Sequence, residues 1–289
     1  MIPGEFDYHA PASLGEAIAL LAEHGEDAKI LAGGQSLIPA MRFRLASPET
    51  LIDISGIDGM SYIRQNGDDG YLAIGAMTTE SDLEDSEDVQ NYYEMLADAA
   101  AVIADPVVRN KATIGGNLAH SDPANDHPAV MLAYGASIVA VGPAGQRIIP
   151  IDEFFTGLFE NSMTDDEILT EIRLPMPAAG SGGAYIKIER KVGDYAISAV
   201  AVNLVMDGNR VASARVGLTN VSPVPMRSPG AEAALIGNEL TAEVLEAAGK
   251  AAAADCDPSA DLRGTVEYKR DLTRVLVKRA VKKAAERAG

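Results

Sequence analysis

The chain has 289 residues, 47% of them hydrophobic, and sets 24 Lys and Arg against 42 Asp and Glu for a formal net charge of -18. That length and apolar content can support a buried core divided among two or three compact units, while the acidity excludes nucleic acid, whose phosphates are held by clustered Lys and Arg. No apolar run approaches the roughly 18 residues that span a bilayer, Met1-Ile2-Pro3-Gly4-Glu5 lacks a basic-then-apolar leader, and the single Cys256 excludes a disulfide framework or a protein-ligated iron–sulfur cluster; a cytoplasmic protein, not membrane-spanning, is expected.

Ser13 is a suitable N-cap for a helix over about Leu14 to Glu23, and Lys29-Ile30-Leu31-Ala32 reads as a short apolar strand. A paired-glycine turn follows it directly, Ala32-Gly33-Gly34-Gln35-Ser36-Leu37. Pro39 and the basic Arg42-Phe43-Arg44 then lead to a second strand, Leu51 to Ile54, closing a small α+β lobe over residues 1–56. A second lobe, 57–177, holds a strand at Tyr71 to Gly75, a helix at Tyr92 to Ile103, a second glycine turn at Thr113-Ile114-Gly115-Gly116-Asn117 and a short helix at Ala129 to Tyr134. Its remaining strands are Ser137 to Val141, Arg147 to Ile151 and Ile168 to Leu174. The stretch Pro175 to Gly183 has linker composition, so 178–289 forms a C-terminal unit. There, Ala184 to Glu189, Ala196 to Met206 and Val211 to Leu218 read as antiparallel strands, with a hairpin at Asp207-Gly208-Asn209. Helices over about Thr241 to Ala254 and Val266 to Ala285 finish the chain; in the last, Leu272, Val275, Leu276, Arg279 and Lys283 set an apolar stripe against a basic face that is either solvated or docks a partner.

The two glycine turns carry the chemistry. Glycine lets main-chain N–H groups approach an anion closely, and a pyrophosphate in so acidic a chain is better held by oriented amides than by a basic patch. A diphosphate-containing cofactor is the natural guest. Neither turn has the GxGxxG spacing of a dinucleotide fold or the Gly-Lys-Ser/Thr ending of a phosphate-binding loop. The histidines His9, His24, His120 and His127 lack metal-ligand spacing, and Cys256 sits in a polar loop far from any of them. Plainer readings stand beside each candidate: Ser36 and Thr113 satisfying their own turns, Asp126 capping the helix after His127-Pro128, and Tyr195 as a buried strand residue.

In order along the chain, Phe6-Asp7-Tyr8, Ala32 to Pro39, Thr113 to Ala119, Asp122-Pro123-Ala124-Asn125-Asp126 and Arg190 to Ala196 resemble the FAD-binding medium subunit of molybdenum hydroxylases, the xanthine dehydrogenase and aerobic carbon monoxide dehydrogenase group. The resemblance covers essentially the whole chain. It implies an α+β fold, a two-lobed FAD-binding domain of the vanillyl-alcohol-oxidase type followed by a smaller C-terminal domain of antiparallel sheet and helices. It implies FAD bound by Ala32, Gly33, Gly34, Gln35, Ser36 and Leu37 and by Thr113, Gly115, Gly116 and Asn117 at the pyrophosphate. Asp126 matches the carboxylate directed at the adenosine ribose, Leu169 and Lys187 approach the flavin, and Tyr195 lies over the isoalloxazine ring. The partners implied are a molybdopterin-containing large subunit and an iron–sulfur small subunit, in a heterotrimer commonly doubled. Electrons would pass from the small subunit's clusters through FAD to a quinone or other acceptor, with the C-terminal helices and Arg42-Phe43-Arg44 as candidate docking surfaces. The Arg190 to Ala196 segment is most similar to the carbon monoxide dehydrogenase branch, whereas Gln35 occurs more often in relatives that hydroxylate N-heterocycles or oxidise aldehydes. Two rivals stand beside it: a stand-alone flavin oxidase of the vanillyl-alcohol type, for which the region after Gly183 is short as a substrate domain, and a non-catalytic assembly subunit whose loops no longer bind FAD.

Overall fold

A computed structural model describes residues 2–67 and 70–289. The first lobe runs β1 (Asp7–His9), α1 (Leu14–His24), β2 (Ala28–Leu31), α2 (Leu37–Arg42) and β3 (Thr50–Asp53). Its three strands are parallel in the order β1-β3-β2, and each parallel neighbour is reached through a helix, as parallel pairing requires. Ser13 caps α1 by accepting from the Glu16 amide. The segment after the first glycine turn, read from sequence only as a connection, is helix α2, which the Pro39 ring tolerates near its first turn.

The second lobe contains β4 (Ile63–Asn66), β5 (Tyr71–Gly75), α3 (Glu80–Asp85), α4 (Glu87–Tyr92), α5 (Glu94–Ala100), α6 (Pro106–Arg109), α7 (Ile114–His120), α8 (Asp126–Tyr134), β6 (Ser137–Gly142), β7 (Gly145–Pro150), β8 (Phe155–Gly157), β9 (Glu160–Asn161) and β10 (Ile168–Pro175). Its main sheet is antiparallel, β4-β5-β10-β6-β7. The single helix expected over Tyr92 to Ile103 is divided: Tyr93, at φ -132 and ψ 50, ends α4 and starts α5. Burial explains the break, because the fully buried Tyr93 ring turns its hydroxyl to the Pro175 carbonyl.

The chain then builds β11 (Ser181–Ile188), β12 (Ser198–Asp207), β13 (Arg210–Thr219), β14 (Met226–Arg227), α9 (Pro229–Leu235), α10 (Ala242–Asp255) and α11 (Val266–Ala288). The sheet is a simple antiparallel meander. Asp207 pairs with Arg210, so Gly208-Asn209 is the two-residue hairpin turn expected from sequence. The linker is shorter than its composition suggested, since Ser181, Gly182 and Gly183 already belong to β11.

Strand periodicity explains how this sheet joins the two halves. On β12, Ala199 and Ala201 face the core shared with the two lobes, whereas Val200, Val202 and Leu204 face the core under α9, α10 and α11. The first face is made of small residues because α8 lies on it: a Cβ at Gly217 would fall 2.1 Å from the Ala129 carbonyl oxygen. Helix α11 is oriented differently from the stripe read in sequence. Its buried line is Lys269, Thr273, Leu276, Val277, Ala280, Val281 and Ala284, while Leu272 and Val275 are only half-buried. Part of its basic face is used inside the chain, with Lys283 and Arg287 on Asp98 of α5 and Arg274 and Lys278 on Glu246 of α10. Cys256 is likewise buried at the end of α10, not in an open loop.

Candidate functional site

The two glycine segments meet. A Cβ on Gly33 would lie 1.9 Å from the Lys111 carbonyl oxygen, two residues before Thr113, and a Cβ on Gly116 would lie 3.6 Å from the Ala32 Cβ. Gly115 is also pressed on Ala76, where a Cβ would lie 2.6 Å from the carbonyl oxygen, and its amide bonds that carbonyl. An isolated bridge between Thr79 and Thr113 fixes the approach from the other side. Glycine at Gly33 and Gly115 is therefore a consequence of backbone-to-backbone contact.

The segments differ in what they leave available. Among the described residues, the amides of Gly33, Gly34, Gln35 and Ser36 have no acceptor within the chain, and the Ser36 hydroxyl caps nothing on α2. Gly34 sits at φ 71. By contrast, Thr113 to Asn117 is not a hairpin-like bend but the start of α7: the Thr113 hydroxyl accepts from Gly116 N–H, and the amides of Ile114, Gly115 and Asn117 bond the carbonyls of Thr78, Ala76 and Thr113. Thr113 thus satisfies its own turn. What this segment offers is a side chain, because Asn117 Oδ1 is buried without a partner. Asn117 is held from behind, its carbonyl accepting from Asn125 Nδ2 at 3.0 Å. Asn161 Nδ2 braces the far end through the Ala119 carbonyl at 2.9 Å.

Asp126 is not a cap. Asn125 occupies the cap position of α8 without a side-chain capping bond, and Asp126 is the first helical residue, with its carboxylate turned to the C-terminal sheet. Tyr185 Oη donates to Oδ1, and Lys187 Nζ, 3.0 Å from Oδ2, also bonds the Val102 carbonyl and lies 3.3 Å from Glu189. Burial pushes the Asp126 carboxyl up and Lys187 opposes that push; the enclosed Tyr185 phenol is raised well above its ordinary range. Tyr185 was not singled out in sequence, although it stands two residues from Lys187 on one strand and so shares its face.

Beneath Asp126, the next residue, His127, places Nε2 2.6 Å from Glu80 Oε2, both side chains fully buried. Glu80 starts α3 and its amide bonds the Ala112 carbonyl, beside Thr113. This pair therefore links the support of the second glycine segment to the base of α8. Leu169 is buried on β10. Tyr195 is in the loop between β11 and β12, 43% exposed, and is not a buried strand residue. Its neighbour Asp194 pairs with Arg263, whose guanidinium lies 5.6 Å from the Tyr195 ring centroid. Asn220 donates to the Ala196 carbonyl at 2.6 Å and, through its amide, to the Pro123 carbonyl at 2.8 Å.

The polar groups fit a dinucleotide: unpaired amides to meet an anionic diphosphate on one side, an unpartnered carboxamide oxygen to accept from a ligand hydroxyl or N–H on the other, close-packed glycines between them, and a buried carboxylate beyond. The basic charge expected of an alternative anion site is missing from the turns themselves.

Residues 4–177 match a family model described as the FAD binding domain in molybdopterin dehydrogenase, and residues 183–284 match one described as the CO dehydrogenase flavoprotein C-terminal domain. The chain is 48% identical over 284 residues to the carbon monoxide dehydrogenase medium chain of Hydrogenophaga pseudoflava, covering 98% of each. It is 43% identical over 288 residues to the medium chain of Afipia carboxidovorans, covering 100% of this chain and 99% of that one. Among solved structures, quinoline 2-oxidoreductase from Pseudomonas putida 86 superposes with a TM-score of 0.93 at 32% identity, covering 100% of this chain and 99% of that one.

Proposed function

Because this chain belongs to the FAD-binding flavoprotein family of the molybdopterin dehydrogenases, we propose that it receives electrons from the iron–sulfur clusters of a small subunit and delivers them to an external acceptor such as a quinone. It is the FAD-containing medium chain of an oxidoreductase of the molybdenum hydroxylase type. FAD, when bound, supplies the exchange of electron pairs and single electrons. The chain's own residues bind, orient and shield.

In this reading the free amides of Gly33 to Ser36, with Ala32 and Leu37 flanking them, hold the pyrophosphate from one side. Thr113, Gly115, Gly116 and Asn117 close on it from the other as a backbone wall, the amides of Gly115, Gly116 and Asn117 being spent within the chain, with Asn117 Nδ2 donating to the diphosphate and its Oδ1 accepting from a ligand hydroxyl. Asp126 accepts from the ribose hydroxyls while Tyr185 and Lys187 keep its carboxylate fixed. Leu169 and Lys187 border the flavin, and Tyr195 covers the ring. The residues divide as FAD-binding lobes 1–56 and 57–177 and a C-terminal domain 178–289.

The partners proposed are a molybdopterin-containing large subunit and the iron–sulfur small subunit, as a dimer of heterotrimers in the cytoplasm. Carbon monoxide is the favoured substrate, supported by full-length identities of 48% and 43% to two carbon monoxide dehydrogenase medium chains. The second reading, an N-heterocycle or aldehyde hydroxylase, is favoured by Gln35, whose side chain bonds its own turn at the Gly33 carbonyl. The observation that carries the proposal is the meeting of the two glycine segments, the second of them bonded to Asn125, next to Asp126. Affinity purification from the native host, with identification of bound subunits, flavin and metals, tests it: recovery of the chain alone and without flavin overturns it.

A further inference from the structure

The loop that presents Tyr195 is tied down on both sides of that residue by the C-terminal domain. On one side, Arg263 Nη2 bonds Asp194 at 2.8 Å, and the same guanidinium lies over the Tyr195 ring. On the other, Asn220 Nδ2 donates to the Ala196 carbonyl at 2.6 Å. Asn220 also has a second hold, because its backbone N–H donates to Pro123, inside the Asp122 to Asp126 segment. It does both from φ 59, a left-handed conformation that asparagine adopts more readily than other residues with a Cβ. Backbone conformation thus sends one donor into the FAD-binding lobe and one into the Tyr195 loop.

Packing alone does not fix Tyr195. It is 43% exposed, and a side chain so weakly enclosed takes its direction from the backbone that carries it. The ties are strong for their size. The Arg263 hydrogen bond, with help from Arg190, holds the Asp194 carboxyl down at about 2, so the acceptor is a full carboxylate at neutral pH. Gly193 closes the loop from below, where a Cβ would meet the Ala104 carbonyl at 2.4 Å.

We propose that Asn220 and Arg263 are positioning residues for Tyr195, setting the ring against the Asp122 to Asp126 segment and hence its distance from the flavin. The inference rests on the proposed place of Tyr195 over the isoalloxazine ring. Neither residue touches the cofactor in this scheme; the C-terminal domain controls the cover through the loop.

The test uses the full chain saturated with FAD, reading emission per bound flavin, since a stacked tyrosine quenches flavin fluorescence. Asn220→Gly keeps the left-handed backbone and the bond to Pro123 and deletes only the donor to Ala196. Tyr195→Ala is expected to raise emission about threefold or more, with Asn220→Gly and Arg263→Gln each recovering at least about half that rise while FAD affinity stays within about threefold of the parent. If both variants emit like the parent while Tyr195→Ala is bright, the ring is placed without these ties and the inference fails, leaving the proposed function intact. If Tyr195→Ala itself is no brighter, the inference falls with the assignment of Tyr195. A parent chain that binds no FAD defeats the proposed function instead. Should Asn220→Gly not fold, Arg263→Gln decides alone.

Discussion

Replacing Gly33 by alanine tests the contact on which the site is built. The new Cβ would stand 1.9 Å from the Lys111 carbonyl oxygen, where ordinary contact begins at 3.4 Å, so one segment must retreat by the difference of 1.5 Å. Gly33 does not have a positive φ, so alanine fits the backbone and the effect is steric. Overpacking of this kind costs about 1–3 kcal/mol of stability. The larger effect falls on the cofactor, because a retreat of that size carries the amides of Gly34, Gln35 and Ser36 beyond hydrogen-bond length. Losing even one of these bonds to a charged acceptor is worth about 1.5–3 kcal/mol, so FAD binding weakens by at least roughly 10- to 150-fold. Titration of FAD into the variant, with urea unfolding in parallel, measures both. Gly15→Ala is the control: a Cβ there meets nothing within 4 Å, and affinity should equal the parent's. Parental affinity in Gly33→Ala would falsify the idea that the two segments are held together to grip one ligand.

Lys187→Met should cost about 3–5 kcal/mol in urea unfolding at pH 7, because it strands the buried Asp126 carboxylate; adding Asp126→Asn should recover most of that, and a single-variant loss below about 1 kcal/mol would show the pair to be solvated. Asp194 is held at about 2 against an ordinary 3.8. A depressed carboxyl stabilises the fold above its unfolded value and loses that contribution as pH falls through the folded one. The stability gap between parent and Asp194→Asn should therefore be full above about pH 4 and close toward about pH 2; a gap independent of pH in that window refutes the ion pair. Burial raises the Cys256 thiol to about 11, so iodoacetamide at pH 8 should leave it unmodified in the native chain and label it fully once unfolded, as read by mass.

Much of the scaffold was legible from local signals. Ser13 and the apolar spacing after it placed α1 almost to the residue, Asp207-Gly208-Asn209 placed the hairpin, and period-2 alternation placed β10 to β13. The short helices α3, α6 and α9 were missed because each is only four to seven residues long. Their stability comes from packing and caps more than from periodicity. The orientation of α11 was misjudged for a related reason. Leu272 and Val275 look like core by type, but the surface presented by β11, β12 and α10 selects the line through Thr273 and Ala280.

At the site, residue types and order along the chain pointed to the glycine segments, Asp126, Lys187 and Tyr195 as candidates through a family resemblance. Sequence could also fix the chemistry available, since amides, a carboxamide and a carboxylate are properties of residues. It could not say which of those groups remain free, because hydrogen bonding is settled between segments far apart in the chain. Only the fold shows that Thr113 to Asn117 consumes its own amides while Gly33 to Ser36 does not, that Asp126 faces Tyr185 and Lys187 across 59 and 61 residues, and that Asn220 reaches Ala196 and Pro123. Local conformation follows from neighbours in sequence; the partner of a buried polar group follows from what tertiary packing leaves as its alternative to water.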